Sequence, residues 1–88
     1  MSEKNERLIN LAIALISAKR PLSKEQIFRS IEGYSGNQEA KDRMFERDKE
    51  ALKSLGIDIT IAPIDRLFDD EVGYQITEKD YAVSFGNL

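Results

Sequence analysis

The sequence predicts a small α+β fold, three helices followed by a β-hairpin. Three observations predict it. Apolar residues recur at helical spacing through roughly the first two-thirds of the chain. The period then drops to two at Ile57, Ile59 and Ile61. Between them stand helix punctuation marks: a capping box at Ser23 and a glycine, Gly56, after the last helical leucine. With 88 residues the chain has room for one domain, spanning residues 1–88.

The first helix is expected from Asn5 to about Ala18. Leu8, Leu11, Ala12, Leu15 and Ile16 form its apolar stripe, and Ile9 and Ile13 widen it until the second half is apolar almost all round. That pattern predicts a central position. Arg20 and Pro21 end it, because the residue before a proline is pushed out of helical geometry. Ser23 and Gln26 then open a second helix, from about Lys24 to Ile31, with Ile27, Phe28 and Ile31 inward. A loop through Gly33, Tyr34, Ser35, Gly36 and Asn37 leads to a third helix from about Gln38 to Leu55. Gly56 takes its left-handed cap, and Ile57 supplies the apolar contact that accompanies one.

Ile57, Ile59 and Ile61 alternate with Asp58, Thr60 and Ala62 as a half-buried strand. Pro63 is expected to start a loop that runs to Glu71. A second strand, about Val72 to Thr77, puts Tyr74 and Ile76 on one face and Gln75 on the other. Tyr81 to Phe85 alternates weakly, as a third strand or an extended tail.

Composition excludes several function classes. Without cysteine there is no disulfide framework, thiolate zinc site or thiol nucleophile. Without histidine the commonest general base and transition-metal ligand are missing. The expectation is therefore a protein that is not an enzyme and holds no metal or other cofactor. The longest apolar run, Leu11 to Ile16, is far short of the ~20 residues of a membrane span. The first residues carry both charge signs and no signal-peptide pattern, so a soluble cytoplasmic location, at the nucleoid, is expected. The 13 basic and 16 acidic residues sum to −3, but the surplus is uneven. Residues 1–31 carry six bases and three acids, so the chain offers a basic region while staying acidic overall.

Three short helices and a hairpin are the element order of a winged helix-turn-helix, in which the second and third helices read DNA and the hairpin is the wing. On the third helix Phe45, Asp48, Leu52 and Leu55 share one stripe, with Met44 and Ala51 beside it. Arg43, Glu46, Arg47, Glu50, Lys53 and Ser54 lie opposite. Arg43 and Arg47 project together, where guanidinium groups reach phosphates or read guanine. The plainer alternative is that they pair with Glu39, Glu46 or Glu50 and solubilise the surface. Asp48 on the apolar stripe calls for hydrogen-bond donors, from backbone or from an arginine.

The run from Arg43 to Ile57, Arg-Met-Phe-Glu-Arg-Asp-Lys-Glu-Ala-Leu-Lys-Ser-Leu-Gly-Ile, resembles the recognition helix and first wing strand of the WYL-domain transcriptional regulators. It resembles in particular the actinobacterial proteasome accessory factor B and C proteins. Arg7-Leu8-Ile9-Asn10-Leu11, Ala14-Leu15-Ile16-Ser17 and Arg20-Pro21-Leu22-Ser23 resemble the family's opening helix and turn. Pro63-Ile64-Asp65 and Asp69-Asp70-Glu71-Val72-Gly73-Tyr74, with Ile76, resemble its wing. Most of residues 7–82 is covered. The resemblance implies binding to double-stranded promoter DNA and, in the actinobacterial members, regulation of DNA-damage-response genes. It places Arg47-Asp48 on the family's arginine-aspartate pair, the arginine toward DNA and the aspartate as structural partner. The chain has no tryptophan and stops near residue 88, so the C-terminal WYL module is expected to be absent from it.

Two further sites follow from charge and exposure. Ser23 and Lys24 sit where a helix N-terminus favours phosphate, although Ser23 as a cap alone is the simpler account. Asp65, Asp69, Asp70 and Glu71 stand against one cation, Arg66, so the wing should avoid phosphates, turned away from DNA or meeting a protein surface. Those acids do not have the spacing of a calcium loop. Leu67 and Phe68 form an apolar tip suited to a protein contact. The expected DNA contacts are therefore Arg43 and Arg47 in the major groove, with Lys24 and Lys53 or Lys49 on phosphates. The alternative is a protein-interaction or dimerisation module that uses the acidic wing and the Leu67–Phe68 tip toward a second copy, another subunit or the transcription machinery.

Overall fold

Local signals decide the helix boundaries in the computed structural model, which describes residues 3–65 and 68–77. Its elements are α1 (Glu3–Ser17), α2 (Lys24–Ser30), α3 (Gln38–Ser54), β1 (Thr60–Asp65) and β2 (Phe68–Gln75). Three helices followed by a two-stranded antiparallel hairpin give the α+β winged-helix layout expected from the sequence. Ser23 caps α2 reciprocally: its Oγ accepts from the Gln26 amide at 3.1 Å while its own amide donates to Gln26 Oε1 at 2.9 Å. Asn37 caps α3 by accepting from the Ala40 amide at 2.8 Å. At the far end of α3, Gly56 has φ +90°, and the Gly56 and Ile57 amides donate to the Lys53 and Leu52 carbonyls, both at 2.9 Å. That is the full glycine-terminated cap expected there.

One residue of the α1–α2 connection is hydrogen-bonded into the sheet through its backbone. β2 pairs with β1 from Thr60↔Gln75 to Asp65↔Phe68, with a register shift between Pro63 and Asp65. On its other edge, Leu22 and Tyr74 exchange two backbone hydrogen bonds of 2.9 and 2.8 Å. The α1–α2 connection thus acts as a minimal third strand, and β2 runs through the middle. Gly73 makes this close approach feasible. A Cβ there would stand 2.8 Å from the Pro21 carbonyl carbon and Cβ and 2.9 Å from Ile64 Cγ1.

The core joins all three helices to β2 and the residue beyond it. Leu11, Leu15, Ile27, Ile31, Tyr34, Phe45, Leu52, Tyr74 and Ile76 are buried together. Aromatic rings form its middle, with centroids 4.8 Å apart for Phe45–Tyr74 and 5.0 Å for Phe28–Tyr34.

Four expectations need correction. α1 is not central: Leu11 and Leu15 are buried, but Ile9, Ile13 and Ile16 are exposed, because among the described residues the body lies on one side of the helix only. Leu55 is 70 % exposed, since the chain turns into the glycine cap before the α3 stripe is completed. Ile57 and Ile59 do pack against the core, whereas Ile61 points to solvent. Pro63 does not begin a loop but lies inside β1, and β2 starts at Phe68 rather than Val72. An edge strand tolerates the proline, because its missing N–H faces outward. Residues Tyr81–Phe85 lie outside the described residues.

Candidate nucleic-acid interface

α3 is held in place from beneath by a charge. Asp48 is fully buried and accepts from Arg7 twice, from Nε at 2.7 Å and from Nη2 at 2.9 Å. The Tyr34 hydroxyl donates to the same carboxylate at 2.7 Å. One bidentate ion pair and one phenol satisfy the side chain that the sequence left looking for donors. The hydrogen bonds to Asp48 raise the Arg7 pKa above its ordinary value. Burial raises the Tyr34 phenol first, and its bond to Asp48 raises it further. The guanidinium also stands 5.4 Å from the Tyr34 ring centroid. α1, the α2–α3 loop and α3 are therefore fastened at one point, which leaves the other side of α3 to solvent.

That outer side carries both charge signs. Arg43 is exposed, and its Nη2 lies 2.7 Å from Glu39 Oε1 one turn earlier. The plainer account of Arg43 is thus realised in the free molecule. Such an exposed pair stabilises by only about 0.3–0.5 kcal/mol, so it holds the guanidinium weakly. Arg47 is exposed and has no ion-pair partner among the described residues; it shares a shallow groove with Lys4 at the start of α1. Lys53 is exposed in the last turn, above Asp58 and Ile59.

The remaining two cations are placed differently. Lys24, at the start of α2, lies 3.5 Å from Asp42 Oδ1 and 5.9 Å from the Phe45 ring centroid. Lys49 is mostly covered: its Nζ lies 2.7 Å from Glu46 and 5.6 Å from both the Phe45 and Tyr74 rings. Its stem lies over the aromatic core on the flank of α3 that faces the hairpin, and its ammonium is pinned there. The structure therefore gathers Arg43 and Arg47 on one side of α3 and Lys24 and Lys49 on the other, with Lys53 at the C-terminal end. Leu67 and the side chain of Phe68 lie outside the described residues.

Sequence reasoning missed one element of this arrangement: it gives Arg7 no partner, although an arginine on the core side of an amphipathic helix is itself a signal for a buried one. Glu39, Glu46 and Glu50, which the sequence offers as partners for the arginines, lie with them on the outward side of α3.

This chain is similar to mycobacterial proteins named PafB. It is 43 % identical to Protein PafB of Mycobacterium leprae (strain TN) over 84 residues, which cover 93 % of the chain. It is 44 % identical to Protein PafB of Mycobacterium tuberculosis (strain H37Rv) and of Mycobacterium bovis over 85 residues, or 94 % of the chain. The chain spans 25 % of the length of each of these curated relatives. No protein-family model matches it. The similarity agrees with the resemblance to the actinobacterial proteasome accessory factor B and C proteins. Among the described residues no helix is long and apolar enough to cross a membrane.

Proposed function

We propose that this chain is the winged-helix DNA-binding domain of a PafB-type bacterial transcriptional regulator, not an enzyme, working in the cytoplasm at the nucleoid. Its implied role is the regulation of DNA-damage-response genes. One observation carries the proposal: Arg43 and Arg47 stand exposed on an α3 whose opposite side is locked by Asp48. An α-helix of about 10–12 Å diameter fits the major groove, which is about 12 Å wide. With its arginine side turned into the groove, cations on the other flank and at its C-terminal end approach the phosphates. Arg43 and Arg47 take the groove, and Lys24 and Lys53 the phosphates. Lys49, pinned to Glu46 and to the rings, contributes at the edge of this contact.

Amide chemical-shift mapping with a short duplex at low salt tests it. The expected perturbations run along α3 from Arg43 to Lys53 and at Ser23 and Lys24. Perturbations confined to the hairpin, or none with DNA in excess, would refute the reading and favour a protein-interaction module.

A further inference from the structure

α3 carries five acids, and four of them are engaged. Asp48 is buried against Arg7, Glu39 holds Arg43, Asp42 lies 3.5 Å from Lys24, and Glu46 lies 2.7 Å from Lys49. Glu50 is the fifth. It is exposed, and among the described residues its carboxylate enters no ion pair. Arg47 and Lys53 stand three residues before and after it, a spacing at which side chains on a helix meet, yet neither closes onto it. Its place on the helix is defined as well. Glu50 follows Arg43 by seven residues, two turns, and so lies about 20° from the line of that arginine. It rims both grooves that flank α3, the one with Lys4 and Arg47 and the one with Lys49 and Lys53. Glu50 therefore stands on the crest of the side that the arginines share.

What such a carboxylate does in a major groove follows from its chemistry, and the inference rests on the DNA-reading function proposed above. An ionised carboxylate offers acceptors only. Against a phosphate, guanine N7 and O6, or thymine O4, it sets acceptor against acceptor and loses its water without compensation. The donors of the major groove are the amino groups of cytosine and adenine. Adenine presents its amino group beside the N7 acceptor, which repels the second carboxylate oxygen. Cytosine presents an amino group with no acceptor of its own. We propose that Glu50 is a specificity-determining residue that accepts from a cytosine amino group, next to a guanine read by Arg47. The two side chains start about 4.5 Å apart along the helix axis, on the order of one base-pair step of about 3.4 Å, so the two bases lie in neighbouring pairs. Glu50 is also a filter. Where the base opposite it lacks an amino group, the stripped carboxylate opposes the approach of α3.

Selection of binding sequences at low salt, from a pool of duplexes with a randomised centre, tests this with the unaltered chain, Glu50→Gln, Glu50→Ala and Arg47→Ala. Glutamine and alanine are good helix formers, and Ser54 bonds only the backbone carbonyl of residue 50, so the Glu50 variants keep the fold. The unaltered chain is expected to enrich cytosine at one position, within one or two steps of a guanine that Arg47→Ala no longer selects. Glu50→Ala should flatten the preference at that cytosine alone. Glu50→Gln should move it to adenine, which an amide pairs through N6 and N7. In titrations, exchanging the cytosine for thymine should weaken binding of the unaltered chain roughly tenfold and leave that of Glu50→Ala nearly unchanged. Removal of a charge cannot by itself imitate this, because it strengthens binding to every duplex alike. Equal gains on all sequences with the preferences unchanged would overturn the proposal, and so would a Glu50-dependent position that selects another base. Enrichment of no sequence by the unaltered chain would remove the DNA-reading function itself, and this proposal with it.

Discussion

Asp48 is the residue on which the placement of α3 turns. Its carboxylate is fully buried and, among the described residues, is compensated only by Arg7 and Tyr34, so truncation strands a nearly buried guanidinium and a buried phenol. Breaking a buried pair from one side costs ~3–5 kcal/mol. Arg7 keeps a little solvent contact, so Asp48→Ala should lose about 3 kcal/mol, read from the midpoint of urea unfolding. Tyr34 gives the same network a pH dependence. Its pKa is raised from an ordinary 10.0 by burial and by Asp48, so the folded form holds the phenol proton more tightly than the unfolded one. This stability is fully present below the ordinary phenol range and is lost as pH rises through and above it. Unfolding midpoints measured from neutral to strongly alkaline pH should fall on the alkaline side, and the fall should be shallower in Tyr34→Phe. The need for donors at Asp48 was legible in the sequence. Which groups supply them was not, because Arg7 lies 41 positions away and reaches Asp48 only when α1 crosses α3.

At the scale of elements, short-range chemistry was read well and long-range register was not. The capping box of α2 and the glycine cap of α3 each involve residues no more than five apart, so the sequence contains the whole motif. The hairpin is different. Alternation from Ile57 to Ile61 predicted one continuous strand, but pairing begins only at Thr60, after Ile57 and Ile59 have packed against the helices. Pairing then continues through Pro63, which an edge strand accommodates. Leu22 pairs on the other side of β2, a contact across about fifty residues that no local pattern announces. Gly73 is the steric condition for that contact. In Gly73→Ala the new methyl would meet the Pro21 backbone, which cannot move aside as a flexible side chain does. The hairpin should part from the α1–α2 connection. Hydrogen exchange should then show loss of protection at the Leu22 and Tyr74 amides, while the amides of α3 stay protected.

For the molecule as a whole, charge sets the terms of the proposed DNA contact. From Lys24 to Ser54 seven bases meet seven acids, so this unit has no bulk attraction for a polyanion. Attraction depends on individual cations, and several of them are already paired within α3 or with α2. Binding should therefore be weak and depend on few contacts. With Arg43, Arg47, Lys24 and Lys53 engaged, and some of them on bases, the log–log salt slope should be about −2 to −3, at roughly −0.9 per phosphate. Arg47→Ala should reduce affinity for a preferred site by roughly tenfold, within the ~1–3 kcal/mol of a base-reading contact, with unfolding midpoints unchanged. Titrations of both proteins over a range of salt give both quantities. A slope near zero would show that the cations do not meet phosphates.

The sequence by itself determined the order of elements, the caps of α2 and α3, the aromatic core positions Phe45 and Tyr74, and the outward placement of Arg43 and Arg47. These are properties of periodicity and of contacts a few residues long, which exist before the chain folds. Only the tertiary structure decided that Arg7 closes onto Asp48, that Lys49 lies over the core rings, and that Ile9, Ile13 and Ile16 face solvent. Each depends on which side of a helix meets a neighbour. An amphipathic helix with apolar residues nearly all round does not specify that side until the rest of the molecule has packed against it.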